Sequence, residues 1–167
     1  NKIGNVKDVL IKKNYDPFFS VYPALNNGQE VPNLYVMPSN IGLALAQREL
    51  STQVDREQIL QSQIVKLGDR QDIILIDCSP TLSDLTMNAI VAADMLLIPV
   101  TYEDDALEGL ADLFNVITEL KPKGVSFKII RNQKDLRKTR TNFYIENKLS
   151  DFMLSNHLLE TIIHQDE

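Results

Sequence analysis

The sequence predicts an α/β fold built around a doubly wound, mostly parallel β-sheet. Continuous apolar runs of strand length alternate along the chain with segments of helical periodicity. Such runs indicate strands buried on both faces, as in parallel sheets covered by helices. Strands and helices in this rhythm imply right-handed crossovers. At 167 residues, the chain is expected to form a single domain spanning 1–167.

The individual elements follow from periodicity and breakers. Strands are expected at Asn33–Met37, Asp72–Asp77, Met95–Val100 and Val125–Ile130. Helices are expected at Ile41–Leu67, with an interruption near Ser51-Thr52, at Asp84–Ala93, at Ala106–Leu120 and, as one or two helices, at Thr139–Glu167. The segment Tyr15–Gly28 is interpreted as a loop because it contains Pro17, Pro23 and Asn26-Asn27-Gly28. Ligands of such sheets bind at the carboxyl ends of the strands, which directs attention to the residues after Ile76, Val100 and Ile130.

The composition excludes several classes of protein. No apolar run approaches the roughly 20 residues that a membrane-spanning helix needs. A single cysteine, Cys78, excludes an internal disulfide and fits a reducing compartment. The two histidines, His157 and His164, argue against a zinc site. Cys78 itself is interpreted as a small buried apolar residue, because no base lies near it in the sequence.

The charge is unevenly distributed. The net charge is −6, yet residues 128–148 carry seven basic and two acidic side chains. A basic segment on an acidic protein indicates a localised contact with an anion. Its centre contains four candidates for contact with DNA phosphates without sequence preference: Lys134, Arg137, Lys138 and Arg140. The alternative is a solvated loop or helix start, which is the usual role of a charge run.

Asp77 ends an apolar run and has the form of a Walker B carboxylate. A strand in this position holds the carboxylate at the sheet edge, where it orients a Mg²⁺ ion bound to nucleotide phosphates, often through water. The alternative is an aspartate that caps a helix or forms a turn, since many buried strands end this way.

Five short motifs follow one another in the order of a known family. They are Asp77-Cys-Ser-Pro80, Leu85-Thr-Met-Asn-Ala89, Val91-Ala-Ala-Asp94, Ile98-Pro-Val100 and Ala106-Leu-Glu-Gly-Leu110. Over residues 31–130 the chain resembles the ParA/Soj group of deviant-Walker P-loop ATPases, which serve DNA partitioning. One departure is Ser79, which stands where the family has the first of two prolines and leaves the turn after Asp77 less constrained.

The resemblance implies a P-loop NTPase-like domain of the SIMIBI type with ATP and Mg²⁺ as ligands. It assigns Asp77 to Mg²⁺, the turn containing Pro80 to the γ-phosphate, and Asn132 to the adenine base. A turn asparagine is the equally weighted alternative for Asn132. The resemblance also implies a homodimer, nonspecific DNA and a ParB-like centromere-binding protein as partners. The expected location is the cytoplasm in association with the nucleoid, without membrane attachment.

The sequence contains no G-x-x-x-x-G-K-[ST] loop to hold the phosphates. The chain is therefore expected to be an incomplete nucleotide-binding domain, lacking both ends of the family's domain, without ATP turnover of its own. Two other functions stay open. One is a non-catalytic regulatory or interaction module derived from this fold, and the other is an ATPase with a MinD-like membrane cycle.

Overall fold

A computed structural model describes residues 3–103, 106–152 and 154–165. The chain divides into two compact units, Asn1–Ala92 and Ala93–Glu167. Each unit has its own secondary structure and its own buried residues. The expectation of one domain over residues 1–167 stays a prediction.

The first unit packs short helices around a small apolar core. Its helices are α1 (Val6–Ile11), α2 (Leu43–Leu50), α3 (Ile59–Val65) and α4 (Asp84–Ala92), with 3₁₀ turns at Pro17–Ser20, Arg56–Gln58 and Gly68–Arg70. A capping box begins α1, in which the side chains of Asn5 and Asp8 each accept a hydrogen bond from a backbone N–H of the first turn. Val9 on α1 and Leu50 on α2 are almost completely buried, so the two helices meet through apolar side chains.

The side chain of Asn88 in α4 is hydrogen-bonded to the backbone of the 3₁₀ turn Arg56–Gln58 and of the first turn of α3. Its Oδ1 accepts a hydrogen bond from the backbone N–H of Leu60 at 3.0 Å. Its Nδ2 donates to the carbonyl oxygens of Arg56 at 2.7 Å and Asp84 at 2.8 Å. Asn88 is 1% exposed, so these three bonds form away from water. A buried amide in this position supplies the acceptor that the backbone N–H of Leu60 needs, and its own two N–H donors find carbonyl partners.

Residues 22–36 form a β-hairpin, where the sequence analysis expected a loop followed by a parallel strand. β1 (Tyr22–Asn26) pairs antiparallel with β2 (Gln29–Val36). The connecting residues Asn27 and Gly28 both have positive φ, at 51° and 80°. A two-residue turn of this kind favours Asn-Gly because both positions require left-handed backbone. The loop expected over Tyr15–Gly28 was therefore wrong for β1.

The helix expected over residues 41–67 is interrupted, as Ser51-Thr52 indicated. It consists of α2 and α3, and Asp55 between them has a left-handed backbone with φ of 52°. The hydroxyl of Ser51 donates a hydrogen bond to the backbone carbonyl of Arg48, and the hydroxyl of Thr52 donates one to the backbone carbonyl of Glu49. These side-chain bonds compete with the helical backbone pattern and favour its end at this point.

The buried strand expected at Asp72–Asp77 was wrong. Residues 73–79 have no regular secondary structure, and Leu75 is 92% exposed. Among the described residues, no backbone hydrogen bond joins Ile73–Ile76 to a strand. An apolar run becomes a strand only where a neighbour supplies the hydrogen-bonding partners of its backbone.

The second unit contains the parallel sheet that the sequence predicted, so the α/β class is confirmed. Its elements are β3 (Met95–Thr101), α5 (Ala106–Leu120), β4 (Ser126–Lys134), α6 (Thr139–Asp151), a 3₁₀ turn at Ser155–His157 and β5 (Leu158–His164). The strand order is β3-β4-β5 and both pairings are parallel. Ile98 pairs with Ile129 in register at the buried centre of the sheet.

β5 corrects the expectation that residues 139–167 are helical throughout. α6 ends at Asp151, and Leu158–His164 adds a third parallel strand beside β4. The run Thr161-Ile-Ile163 consists of β-branched residues, which favour strands. This local signal identifies β5, whereas the spacing of the apolar residues alone did not.

A charge network on Glu146 of α6 connects this helix to β4, to β5 and to Tyr102, which directly follows β3. Its Oε1 accepts hydrogen bonds from the hydroxyl of Tyr102, at 2.5 Å, and from Nζ of Lys134, at 3.3 Å. Arg131 of β4 contacts Oε2 of Glu146 at 3.3 Å and donates a second bond to the carbonyl of Leu159 in β5 at 2.7 Å. The network therefore fixes α6 against the carboxyl half of β4, and Arg131 extends it to the beginning of β5.

The two acids of this network have opposite pKa shifts. Burial disfavours the charged form of Glu146, but bonds from Tyr102 and Lys134 and the charge of Arg131 leave its pKa below the ordinary value. Burial, together with the hydrogen bond to Glu146, raises the pKa of the Tyr102 hydroxyl well above its usual range. Glu146 is therefore the anion and Tyr102 the neutral donor at neutral pH.

Replacing the charge of Glu146 tests whether this network stabilises the unit. We expect Glu146→Gln to lower the free energy of unfolding at pH 7 by about 1–3 kcal/mol, because two cations lose their carboxylate. A depressed folded pKa contributes stability above the unfolded value, taken as 4.5, and this contribution is lost as the pH falls through the folded pKa. Urea unfolding of the complete protein at pH 7 and pH 3 measures both effects.

The exposed Glu119 provides the matched control for that variant. Glu119→Gln is expected to change unfolding by less than about 0.5 kcal/mol, as surface substitutions usually do. An equal loss for Glu146→Gln at both pH values would contradict the electrostatic explanation.

Removal of the Asn88 amide tests the anchor of α4. Asn88→Ala leaves the backbone N–H of Leu60 without its acceptor and removes the two bonds donated to the carbonyls of Arg56 and Asp84, so we expect a loss of about 2–4 kcal/mol in unfolding free energy. Urea unfolding followed by circular dichroism measures the change. Asn147→Ala, at an exposed position of α6, serves as the control. Equal stability of the two variants would show that the anchor contributes nothing.

Candidate functional site

A small polar cavity lies at the carboxyl ends of the three parallel strands of the second unit. Its volume is about 90 Å³. It is lined by Thr101, Tyr102, Glu103, Gln133, Asp135, Lys138 and Gln165. These residues follow or end β3, β4 and β5, which is the edge where open α/β sheets bind ligands. Because ligand pockets usually exceed about 300 Å³, this cavity suits one polar edge of a larger ligand.

An irregularity near the end of β4 places Gln133 in this cavity. The register with β5 shifts between Arg131 and Lys134, and Gln133 has a left-handed backbone with φ of 56°. A residue other than glycine adopts this conformation only when its surroundings impose it, and such strain concentrates at functional sites. The side chain of Asn132 accepts a hydrogen bond from the backbone N–H of Gln133 at 3.0 Å, which supports the irregular turn.

Asn132, the residue expected at the adenine base, lies next to this cavity in the sequence and pairs with Thr101 in the register of β3 and β4. Its Oδ1 is engaged with the backbone of Gln133. Its contact with adenine stays a prediction. Two other amides, Gln133 and Gln165, line the cavity and were not predicted from the sequence. Their positions at the ends of β4 and β5 are the signal by which they can be found.

Asp77 and Pro80 lie in the first unit, on the exposed segment that precedes α4. The turn beyond them is held by hydroxyl groups: Ser79 and Thr81 are hydrogen-bonded at 2.7 Å, and Thr86 donates to the carbonyl of Thr81 at 2.6 Å. Serine at position 79 therefore supplies a side-chain bond where the family has a proline ring. The roles of Asp77 and Pro80 toward Mg²⁺ and phosphate stay predictions.

The surroundings of Asp77 allow a test of its fit to a metal. Within the described ranges, no group of three or more His, Cys, Asp or Glu side chains surrounds a common point. The single exposed carboxylate of Asp77 is of the kind that suits Mg²⁺, which proteins often hold through one or two carboxylates, with water and phosphate oxygens completing the shell. The adjacent Cys78 is exposed, so the expectation of a buried cysteine was wrong. Partial desolvation and the charge of Asp77 raise the pKa of its thiol, which stays protonated and is a poor nucleophile.

Two of the four basic candidates for DNA contact are neutralised by neighbours. Lys134 is paired with Glu146 and lies 5.2 Å from the centre of the Tyr102 ring. Arg137 makes a bidentate contact with the carboxylate of Asp135. Its Nε donates to Oδ1 at 2.9 Å and its Nη2 donates to Oδ2 at 3.0 Å. The hydrogen bonds of Arg137 lower the pKa of Asp135 to about 2, so this pair stays ionised.

Lys138 and Arg140 are the other two candidates, and both are exposed where α6 begins. No acidic side chain of the described part of the chain lies within ion-pair distance of either one. Their charges are therefore available to an external anion. The basic segment thus divides into a paired half, Lys134 and Arg137, and an unpaired half, Lys138 and Arg140.

None of the described helices has the length and apolar character needed to cross a membrane.

The chain is similar in sequence to known proteins. The profile of a family described as an AAA domain matches residues 5–129. The chromosome-partitioning ATPase Soj of Treponema pallidum is 40% identical over 91 residues, which cover 54% of this chain and 36% of Soj. The chain spans about a third of the length of the curated relatives it matches.

Two solved structures share the fold. An ATP complex of a McdA variant from Cyanothece superposes with a TM-score of 0.79 and 21% identity, over 100% of this chain and 64% of that one. Cobyrinic acid a,c-diamide synthase of Mycobacterium smegmatis, with ADP and magnesium, superposes with a TM-score of 0.74 and 23% identity. The superposition covers 87% of this chain and 58% of the synthase chain. The fold prediction is thereby confirmed. The chain belongs to this family of AAA domains, and its identification as a ParA/Soj-type sequence is confirmed.

Proposed function

We propose that the protein containing this chain is a ParA/Soj-like ATPase of chromosome or plasmid partitioning, with ATP-dependent dimerisation and nonspecific DNA binding. The observation that carries the proposal is the polar cavity at the carboxyl ends of three parallel strands, in a chain whose family match covers residues 5–129. Open α/β sheets bind their ligands at this edge. The name of the Treponema relative, a chromosome-partitioning ATPase, supports the same activity.

Recognition of the nucleotide base is proposed for the amide groups at this edge. Gln133 and Gln165 line the cavity, and each amide offers both donors and an acceptor. The cavity is large enough for the polar edge of a base but not for a whole nucleotide. Asn132 supports this arrangement through its bond to the backbone of Gln133, in addition to the adenine contact expected of it.

Asp77 is proposed to hold the metal, and Pro80 to shape the turn that meets the γ-phosphate. Mg²⁺, when bound, neutralises the charge of the transferred phosphoryl group. The Asp77 carboxylate would hold the ion, as a single carboxylate can when water and phosphate oxygens supply the other ligands. Hydrogen bonds of the following turn, between Ser79 and Thr81 and from Thr86, fix the geometry of this segment.

Lys138 and Arg140 are proposed to contact DNA phosphates of any sequence. Exposed and unpaired cations gain most from phosphate contact, because no internal ion pair is broken. In the cell, the proposed partners are a second copy of the protein and a ParB-like centromere-binding protein, and the proposed location is the nucleoid in the cytoplasm. The paired Lys134 and Arg137 then contribute to folding more than to DNA affinity.

Loss of the Asp77 carboxylate tests the nucleotide part of the proposal. In the complete protein, Asp77→Ala is expected to reduce ATP-dependent dimerisation and ATP turnover at least about tenfold, because the metal loses its protein ligand. Light scattering with and without Mg-ATP measures dimerisation, and phosphate release measures turnover. Asp69→Ala, at another exposed aspartate of the same unit, is the control. Turnover equal to that of the unaltered protein would exclude the metal role.

Removal of the two unpaired cations tests the DNA part. We expect Lys138→Ala with Arg140→Ala to lower the slope of log affinity against log salt for duplex DNA by about 1.8, since each lost phosphate contact contributes about 0.9. Fluorescence anisotropy over a salt series measures this slope. The control removes two exposed cations elsewhere, Lys13→Ala with Lys123→Ala. If both double variants keep the original slope, DNA contact by α6 is ruled out.

A further inference from the structure

Helix α6 presents two aromatic rings to solvent directly beside the unpaired cations. Phe143 is 70% exposed and Tyr144 is 47% exposed. Arg140 precedes them by three and four residues, so the three side chains lie on neighbouring positions of one helix face. Burying an aromatic ring is strongly favourable, which makes two adjacent exposed rings informative.

The opposite face of α6 explains why these rings point outward. Asn142, Ile145 and Leu149 are buried, and the carboxylate of Glu146 is engaged by the charge network. The packing of α6 on the sheet is therefore complete without the two rings. Phe143 and Tyr144 form a separate surface, which we call the α6 aromatic pair.

The polar residues around the pair restrict what it binds. One turn further along the helix stand Asn147 and Lys148, and the next turn brings Ser150 and Asp151. An apolar stripe that docks a helix or enters a lipid surface continues over several turns. Within α6 itself the exposed apolar surface is one turn long, with Arg140 before it and Lys148 after it, and the exposed Leu136 and Phe152 lie beyond the two ends of the helix. The Lys148 ammonium lies 5.9 Å from the centre of the Tyr144 ring.

A short aromatic platform beside unpaired cations matches one class of ligand, an anionic chain that carries flat rings. We propose that the α6 aromatic pair binds single-stranded DNA, with bases stacking on Phe143 and Tyr144 and phosphates meeting Lys138 and Arg140. Proteins that bind single strands without sequence preference combine aromatic rings with a positively charged path along the backbone. A duplex hides its bases in the stack, so the rings add affinity only for unpaired DNA. This inference rests on the proposed DNA binding and specifies a second form of DNA for the same surface.

The test compares single-stranded and duplex oligonucleotides with the complete protein. Phe143→Leu with Tyr144→Leu keeps apolar bulk but removes the rings, so affinity for an oligothymidine is expected to fall at least about tenfold. For the oligothymidine, the slope of log affinity against log salt concentration is expected to stay constant, because the variant loses no charge. Affinity for a duplex of equal length is expected to change less than about threefold, because its bases do not reach the rings. Anisotropy at several salt concentrations measures all of these quantities.

Three controls accompany this variant. Tyr144→Phe retains the ring and is expected to retain affinity for single strands. Phe19→Leu removes a 69% exposed ring from the first unit and is expected to leave binding unchanged. Circular dichroism and the thermal midpoint verify that the leucine variant is folded. If that variant is unfolded, Phe143→Leu alone, at the more exposed position, serves in its place.

The outcomes separate this inference from the proposed function. Unchanged affinity of the folded leucine variant for oligothymidine overturns the stacking role, whatever happens to duplex binding. Binding to vesicles of anionic lipid that depends on the pair, without binding to single strands, overturns it in favour of a membrane surface. Duplex binding that is insensitive to Lys138→Ala with Arg140→Ala refutes the proposed DNA contact, even if oligothymidine binding still depends on the rings.

Discussion

The carboxylate of Glu146 is the interaction on which the geometry of the second unit depends. It gathers the hydroxyl of Tyr102, the guanidinium of Arg131 and the ammonium of Lys134 around one point. These groups come from the end of β3 and from β4, and Arg131 continues the connection to the backbone of β5. A partly buried anion is stabilised by donors of this kind and is costly without them. The polar edge of the sheet is therefore built around an internal charge.

Internal ion pairs reduce the number of cations that the basic segment, residues 128–148, offers to an external anion. Counted along the sequence, residues 128–148 carry a large excess of positive charge. In the folded unit, Arg131 and Lys134 compensate Glu146, and Arg137 compensates Asp135. The side chains that face outward without an acidic neighbour are fewer than the count suggests. Their location at the start of α6 puts them close to the exposed rings, so charge and aromatic surface occur together.

Local signals predicted the second unit well, and α5 lies at the residues that its helical spacing indicated. β5 was missed because its apolar spacing also suits a helix, and the hairpin was missed although Asn27-Gly28 is a strong turn signal. Segment 72–77 shows the limit of such patterns, because strand formation depends on neighbours distant in sequence. The site was predicted less completely. The rule for parallel sheets indicated the correct edge of the second unit, but Gln133 lines the cavity through a register shift that leaves no short motif.

The exposed run Ile73–Ile76 has a consequence for how the protein behaves in solution. Four adjacent apolar residues with high preference for strands and no charge resemble the segments that start intermolecular β-aggregation. Asp72 and Asp77 flank this run on both sides, in the position of the charged gatekeepers that limit such stacking. Beside the metal role proposed for it, Asp77 would thus keep neighbouring chains from joining through the same segment, because its charge repels its own copy.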